Sequence, residues 1–242
     1  MKLLIFNKNI LKVKKMKKLL FVVLIMTGYL SAQNFVVKKV NGDVKAQIGT
    51  SEIWNAVNNN TELDKKTTIM TSKNSDIVLM FGNEKIKINN LSIVALKGIK
   101  KFSTDELLLA LAMENLINIP DKKDNTINSS NTAVYGKEIN GNTKTINDET
   151  NFGIMRLNGA KQLAENGYVE SAIVEAMETY RKYPDTKPLS AYRIYFADLL
   201  VSKNLYEEAL TEYNNIVELK LSDKEKIHTE VQMTFLKKKL LR

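Results

Sequence analysis

The stretch Ile77-Val78-Leu79-Met80-Phe81-Gly82-Asn83-Glu84-Lys85-Ile86-Lys87-Ile88 decides the first half of the fold. The continuous apolar run over residues 77–81 is typical of a strand buried on both faces. Gly82-Asn83 then turns the chain. The alternation of lysine and isoleucine over residues 85–88 predicts a strand with one buried face and one solvent face. The stretch therefore predicts two neighbouring β-strands joined by a tight turn.

Short apolar stretches continue on both sides of this pair and fill residues 34–98. Asn41-Gly42-Asp43 is a turn signal of the hairpin kind. Asn89-Asn90 marks a second break before another apolar stretch over residues 92–96. Five to seven short strands separated by turns predict a small all-β sandwich or roll.

A helical period replaces the strand period after residue 102. Ser103 or Thr104 can cap a helix over residues 103–117, with acids in its first turn. We expect this helix to pack on the β domain, which we place at residues 33–120. Residues 121–152 are polar and have too few large apolar side chains to offset the entropy of ordering. They are predicted to form a flexible linker.

The last part of the chain, residues 153–242, is predicted to be all-α. Apolar residues between Val169 and Tyr180 recur at the spacing of one helix face, and a second set follows from Ala209. Ser222-Asp223 is predicted to cap a last helix. Its apolar residues are Ile227, Val231, Phe235 and Leu240.

The N-terminus has the pattern of an export signal. The cluster Lys14-Lys15-Met16-Lys17-Lys18 precedes an apolar run over residues 19–30, and small residues follow at Ser31 and Ala32. This order predicts a secretory signal peptide over residues 1–32, cleaved near Ala32. The apolar run is shorter than the roughly 20 residues that span a bilayer, so an uncleaved anchor is the weaker alternative. Met1 and Met16 both remain open as the true start.

Charge and cysteine content narrow the classes of function. The net charge is +9, but residues 1–32 hold seven lysines and no acid, which leaves +2 for residues 33–242. A nearly neutral mature part does not favour binding of nucleic acid. The chain has no cysteine. Disulfides, thiolate metal sites and a cysteine nucleophile are therefore excluded.

An ordered set of short motifs runs through the β region. It consists of Gly42-Asp43-Val44, Trp54, Leu63, Ile69-Met70-Thr71, residues 77–81, Gly82-Asn83 and Ile86-Lys87-Ile88 followed by residues 90–93. In this order the set resembles the FecR domain family, which implies a β domain located in the cell envelope. The best-known members relay a signal to a sigma factor through a cytoplasmic segment before a membrane span. Residues 1–18 are too few for that segment, so we do not expect the sigma-regulator function here.

Two segments of the helical region are alike. Residues 167–173 end in Ala172-Ile173, and residues 204–210 end in Ala209-Leu210, 37 positions later. With Ala160 and Ala197 as small residues of the first helices, and Tyr183-Pro184-Asp185 as a repeat end, the region resembles tetratricopeptide repeats. The resemblance implies stacked helical hairpins whose concave face holds an extended peptide or a partner's helix. A plain five-helix bundle is the alternative.

The sequence offers few groups for catalysis. His228 is the only histidine, and we expect it to be an exposed residue of the last helix. Glu106, Glu165 and Asp198 could act as acid and base, but no spacing distinguishes them from solvated carboxylates. No phosphate-binding glycine loop or calcium loop is present. We therefore predict no catalytic residue, no metal site and no cofactor, and expect that the protein is not an enzyme.

Aromatic residues are the candidate binding groups. Tyr192 and Tyr195 are the candidate partner-binding residues, since an outward tyrosine suits the concave face of stacked hairpins; packing between helices is the other interpretation. Trp54 fits core packing better than ligand stacking.

The compartment and the fold class together give three hypotheses of function. The first is a periplasmic or secreted protein that binds protein partners through two modules joined by a mobile tether. The second is a cell-wall or glycan-binding envelope protein, and the third is an enzyme that acts through carboxylates. We expect a protein partner in the envelope, no nucleic acid and no small-molecule substrate. Contact with a membrane is expected only through an uncleaved leader.

Overall fold

The computed structural model describes residues 34–117 and 146–241. The predicted leader, residues 1–32, lies outside the described residues. The same is true of residues 118–145, which hold most of the predicted linker. The described part of the chain consists of a β domain followed by an α domain.

Eight strands form the β domain. They are β1 (Phe35–Asn41), β2 (Val44–Ile48), β3 (Asn55–Ala56), β4 (Glu62–Leu63), β5 (Thr67–Thr71), β6 (Asp76–Phe81), β7 (Glu84–Ile88) and β8 (Ser92–Ala95). Two four-stranded antiparallel sheets result, with strand orders β4-β1-β6-β7 and β3-β2-β5-β8. The prediction of an all-β domain is confirmed.

The deciding stretch folds as predicted. β6 and β7 pair from Ile77 opposite Ile88 to Phe81 opposite Glu84, across a two-residue turn. Gly82 has a φ of 59°, which a two-residue hairpin turn needs at this position and which glycine adopts without strain. The side chains of Ile77 and Ile88 are fully buried in the core.

The predicted turn Asn41-Gly42-Asp43 does not form a hairpin. β1 pairs with β4 and β6, whereas β2 pairs with β3 and β5, so the turn carries the chain from one sheet to the other. Gly42 has a φ of 72°, and a Cβ there would lie 2.5 Å from Ser75 Oγ. The sequence signal therefore marks a tight, crowded turn correctly, but the two flanking strands find their partners in different sheets.

Six helices form the rest of the described structure. They are α1 (Thr104–Ile117), α2 (Ile146–Glu165), α3 (Val169–Lys182), α4 (Ser190–Ser202), α5 (Tyr206–Ile216) and α6 (Asp223–Leu240). Among the described residues, none of these helices combines the length and the apolar character that crossing a bilayer requires.

Helix α1 begins as predicted but packs elsewhere. The backbone N–H of Ser103 donates to the Glu106 carboxylate at 2.8 Å, and the N–H of Glu106 donates to Ser103 Oγ at 3.2 Å, a reciprocal cap. Leu107 and Leu111 are buried in the core of the α domain, and Arg181 Nε of α3 donates to Glu114 at 2.7 Å. The prediction that α1 packs on the β domain is wrong, because the apolar face of α1 packs against other helices.

Helix α2 begins at Ile146, inside the stretch predicted to be a linker over residues 121–152. The predicted C-terminal end of the linker, residue 152, therefore lies several residues inside this helix. The sequence Asn147-Asp148-Glu149-Thr150 is polar and has no apolar face of its own, which is why composition suggested a linker. In the structure these residues extend a helix whose later turns are buried.

Two helical hairpins follow, α2–α3 and α4–α5, and their turns match. Gly167 and Asn204 both have a positive φ, 87° and 60°. The N–H of Tyr168 donates to Leu163 O at 2.9 Å, and the N–H of Leu205 donates to Leu200 O at 3.0 Å. Each hairpin thus ends its first helix with the same hydrogen-bonded turn.

Helix α6 shows the predicted cap but not the predicted packing. Ser222 caps it through the N–H of Glu225. The helix is buried through Thr229 and Leu236. Its predicted apolar residues are exposed instead: Ile227, Val231, Phe235 and Leu240.

The two domains are packed together, so the expectation of modules that move on a tether is not met. Helix α2 lies against β7 and β8, the edge strands of the two sheets. A Cβ on Gly159 would lie 2.0 Å from Ile93 O, so only glycine lets the helix approach this closely. The Asn166 side chain accepts from Lys87 N at 2.9 Å and donates to Lys87 O at 2.8 Å, as a neighbouring strand would.

Candidate functional site

A buried ion pair recurs in both hairpins. Arg156 of α2 contacts Glu175 of α3, and Arg193 of α4 contacts Glu212 of α5. Both arginines and both glutamates are 37 residues apart, the spacing of Ala172 and Ala209. These side chains are between 8% and 11% exposed. This pair was not predicted from the sequence, although the 37-residue spacing of both arginines and both glutamates is a signal for it.

The carboxyl group of Glu175 has an altered acidity. Burial, the largest influence, raises its pKa to about 7, although Arg156 acts in the opposite direction. The folded protein therefore binds a proton at this carboxyl more tightly than the unfolded chain does.

This raised pKa predicts a pH dependence of stability. The contribution of Glu175 is fully present below its ordinary pKa of 4.5 and is lost as the pH rises through about 7. The free energy of unfolding should therefore fall as the pH rises, and in the variant Glu175→Gln this fall is expected to be smaller by up to roughly 3 kcal/mol. Urea unfolding at a series of pH values measures this difference. The control is Glu165→Gln, a substitution at an exposed position. Equal pH dependence in wild type and Glu175→Gln would show that burial does not shift this carboxyl.

A groove of about 610 Å³ lies between α1, α3, α4 and α5. Its apolar lining comes from Leu111, Met177 and Leu200. The remaining lining residues are polar: Glu114, Tyr180, Arg181, Lys187, Arg193, Glu207, Glu208, Thr211, Glu212 and Asn215. Ten of the thirteen lining residues are polar or charged, so the groove suits a partner that brings polar groups of its own to a small apolar strip.

The charges of the groove are only partly neutralised within the described residues. Arg181 pairs with Glu114, and Arg193 pairs with Glu212. In the described structure neither Glu207 nor Glu208 on the α5 wall takes part in a salt bridge. Lys187 of the lining takes part in none either, so outside the two pairs the described groove holds two acids and one lysine, with both acids on the α5 wall.

Tyr180 adds an unusual group to the groove. The side chain is 4% exposed, and the Arg193 guanidinium lies 5.3 Å from the ring centre. Its buried hydroxyl has no hydrogen-bond partner among the described residues. Burial raises the pKa of this hydroxyl, so it stays a neutral donor.

The candidate residues Tyr192 and Tyr195 lie elsewhere, where α4 meets α2. Tyr192 donates to Asn158 Oδ1 at 2.6 Å, and Lys161 Nζ lies 5.0 Å from the centre of the Tyr195 ring. Both rings are half-buried, and burial raises the pKa of both hydroxyls. They do not line the groove. Their role in binding a partner stays a prediction.

The only histidine is part of a cluster. His228 Nε2 lies 3.0 Å and 3.1 Å from the two oxygens of Asp198, and the hydroxyl of Tyr213 donates to Asp198 at 2.6 Å. The histidine side chain is 40% exposed. The cluster joins α4, α5 and α6, a connection that the sequence analysis did not foresee because the three residues are 15 to 30 positions apart.

The other carboxylates considered for acid–base chemistry have different surroundings. Glu106 caps α1, and the backbone N–H of Ser103 is the main reason that its pKa is lowered. Glu165 is exposed at the end of α2. The described residues contain no group of three or more side chains suited to holding a metal ion.

The aromatic residues of the β region have different surroundings. Phe35 is fully buried and stacks on Phe81 with ring centres 4.4 Å apart. Lys100 Nζ lies 3.9 Å from the centre of the Phe102 ring. Trp54 is half-buried.

Comparison with protein-family models, with curated proteins and with solved structures finds no match for this chain.

Proposed function

We propose that this chain is a non-enzymatic interaction protein that holds a segment of a partner protein in the groove between α1, α3, α4 and α5. One observation carries the proposal: the groove combines an apolar strip at Leu111, Met177 and Leu200 with a wall on which Glu207 and Glu208 have no ion-pair partner among the described residues. Such a combination suits a peptide segment better than a flat contact, because a segment fills the volume and brings its own polar groups.

The matched hairpins support a scaffold role. Stacked helical hairpins form extended surfaces for partners and need no catalytic group. The shared turns, buried alanines and ion pairs are consistent with tetratricopeptide-like repeats, which we include in the proposal. The β domain packs on the first hairpin, so it extends the surface of the scaffold.

We further propose that the protein acts in the bacterial cell envelope. The leader pattern over residues 1–32 and the FecR-like order of motifs in the β domain motivate this proposal. Cell fractionation with N-terminal sequencing of the recovered protein tests it. A periplasmic or secreted form that starts near Gln33 would support the proposal, and a cytoplasmic form that keeps the leader would contradict it.

Reversing the charge of the groove wall is expected to weaken partner binding strongly. In the variant Glu207→Lys with Glu208→Lys, two lysines face the groove, and we expect at least about a tenfold loss of the partner co-isolated with the tagged full chain. The matched control is Glu218→Lys with Glu230→Lys, which makes the same change in net charge at exposed positions off the groove. Equal recovery of every co-isolated protein by the two variants would contradict a role for the groove.

A further inference from the structure

The second helices of the two hairpins can be compared position by position. Five α5 residues line the groove: Glu207, Glu208, Thr211, Glu212 and Asn215. Subtracting 37 from each number gives their α3 equivalents: Glu170, Ser171, Val174, Glu175 and Glu178. The buried ion pairs and the matched turns fix this correspondence.

On the first hairpin, two of these equivalent positions, Ser171 and Glu175, lie against a segment of the same chain, whereas Glu170 pairs with Lys203 in the turn between α4 and α5. Residues 96–101 leave β8 through a single 3-10 turn (Leu96–Gly98) and continue extended at Ile99. Ser171 Oγ donates to Lys100 O at 2.6 Å and accepts from Lys100 N at 3.3 Å. A Cβ on Gly98 would lie 3.8 Å from the Glu175 carboxylate.

The segment that lies on the first hairpin contains three lysines, and one of them is near the acids of the hairpin. Its sequence over residues 96–101 is Leu-Lys-Gly-Ile-Lys-Lys. Lys97 is close enough for its charge to act on Glu175 and Glu178. Lys100 Nζ lies over the Phe102 ring and Lys101 pairs with Glu84 of β7. The first hairpin thus holds this segment through the backbone of Lys100 and has Lys97 beside its acids.

We propose that the groove on the second hairpin binds an extended, lysine-containing peptide segment of a partner protein, as the first hairpin binds residues 96–101. This inference rests on the proposed function and names the chemistry of the partner. Glu207 and Glu208 hold the basic side chains of the segment. The apolar lining at Leu111, Met177 and Leu200 receives an aliphatic one.

The backbone of the bound segment also finds partners in the groove. Within this protein, Ser171 holds both the N–H and the C=O of Lys100, and Asn166 does the same for Lys87. Asn215 in the groove carries an amide with the same donor and acceptor pair. A carboxamide can therefore fix one extended residue of the segment through both of its backbone groups.

Acidic and purely apolar segments fit this wall less well. Glu208 stands where the first hairpin has the neutral Ser171, so the groove wall is more acidic at this position than the surface that holds residues 96–101. An acidic segment would place like charges opposite Glu207 and Glu208. An apolar segment would cover both carboxylates without pairing them, which costs desolvation free energy.

Chemical-shift mapping on the isotope-labelled full chain tests this inference. The probe is a synthetic peptide that copies residues 95–102, with blocked ends, and the control peptide has glutamate at the three lysine positions. We expect saturable shifts at Thr211, Glu212 and Asn215 with the lysine peptide only. The variant Glu207→Lys with Glu208→Lys should weaken binding at least about tenfold, whereas Glu218→Lys with Glu230→Lys should not.

The outcomes separate this inference from the proposed function. Shifts outside the groove, no shifts, or equal binding of the glutamate peptide would overturn the inference, even if partner recovery from cells still depends on Glu207 and Glu208. Binding of the lysine peptide in the groove would support the inference, even if no protein partner depends on these residues. In that second case only the proposed function fails.

Discussion

Arg156→Ala is expected to lower the free energy of unfolding by about 3 to 5 kcal/mol at a pH above 7. The guanidinium of Arg156 is the nearest cation to Glu175, and it also lies 3.7 Å from Glu178. Removing it raises the pKa of Glu175 further, so the buried carboxyl group either stays charged without its main partner or takes up a proton. The loss should be smaller below pH 7, because Glu175 can then take up a proton. Urea unfolding monitored by circular dichroism measures both values.

Two companion variants show whether the ion pair itself is responsible. Arg193→Ala removes the equivalent arginine of the second hairpin and should cost a similar amount. Arg156→Met combined with Glu175→Met replaces the pair by apolar side chains and should recover most of the lost stability. If the double variant were as unstable as Arg156→Ala, shape and not charge would explain the loss.

Gly159→Ala is expected to destabilise the protein by about 1 to 3 kcal/mol. A Cβ at this position would lie 2.0 Å from Ile93 O and 2.9 Å from Val94 Cγ2, so helix α2 would have to move away from β8. On a free helix face the same change stabilises by up to about 1 kcal/mol, so the sign of the effect is diagnostic. Thermal and urea unfolding both report it.

Gly98→Ala is the matched control for this variant. A Cβ there would make an ordinary contact of 3.8 Å with the Glu175 carboxylate, and the backbone does not have a positive φ. We expect a change of less than about 0.5 kcal/mol. A stabilising Gly159→Ala variant would contradict the close packing of α2 on the β domain.

Local signals in the sequence predicted the local structure well. The apolar run, the Gly82 turn and the alternating strand after it reappear as β6 and β7, because each depends on neighbouring residues only. The caps at Ser103 and Ser222 were predicted for the same reason. The Asn41-Gly42-Asp43 turn was also placed correctly. Its misinterpretation as a hairpin arose because strand partners are chosen by distant residues, which a turn motif does not encode.

Packing between elements was harder to predict. The sequence pattern of α1 and α6 predicts that each helix has an apolar face. It does not predict which neighbouring element packs against that face. Helix α1 therefore joined the α domain, and Val231 and Phe235 of α6 remained exposed. The docking of the two domains depends on Gly159 and Asn166, whose role in an interface cannot be distinguished in sequence from helix or turn chemistry.

The candidate site was largely invisible in sequence. The groove is lined by residues from α1, α3, α4 and α5, which are far apart in the sequence. Its acidic wall has the sequence pattern of an ordinary solvated helix face. The repeat of Arg156 and Arg193 was the one available signal, since both hairpins need a buried partner for their glutamates. Tyr192 and Tyr195 are predicted for the concave face of stacked hairpins, whereas the groove is lined by other residues of α1, α3, α4 and α5.

Site-specific photocrosslinking in the producing cells tests the central claim most directly. A photoreactive phenylalanine analogue at Thr211 faces the groove, and the same analogue at Asn214 is exposed on α5 but does not line it. We predict that Thr211, and not Asn214, crosslinks to one discrete protein, and that the crosslinked segment contains lysine and lacks acidic residues. Equal crosslinking at the two positions, or an acidic crosslinked segment, would contradict the account.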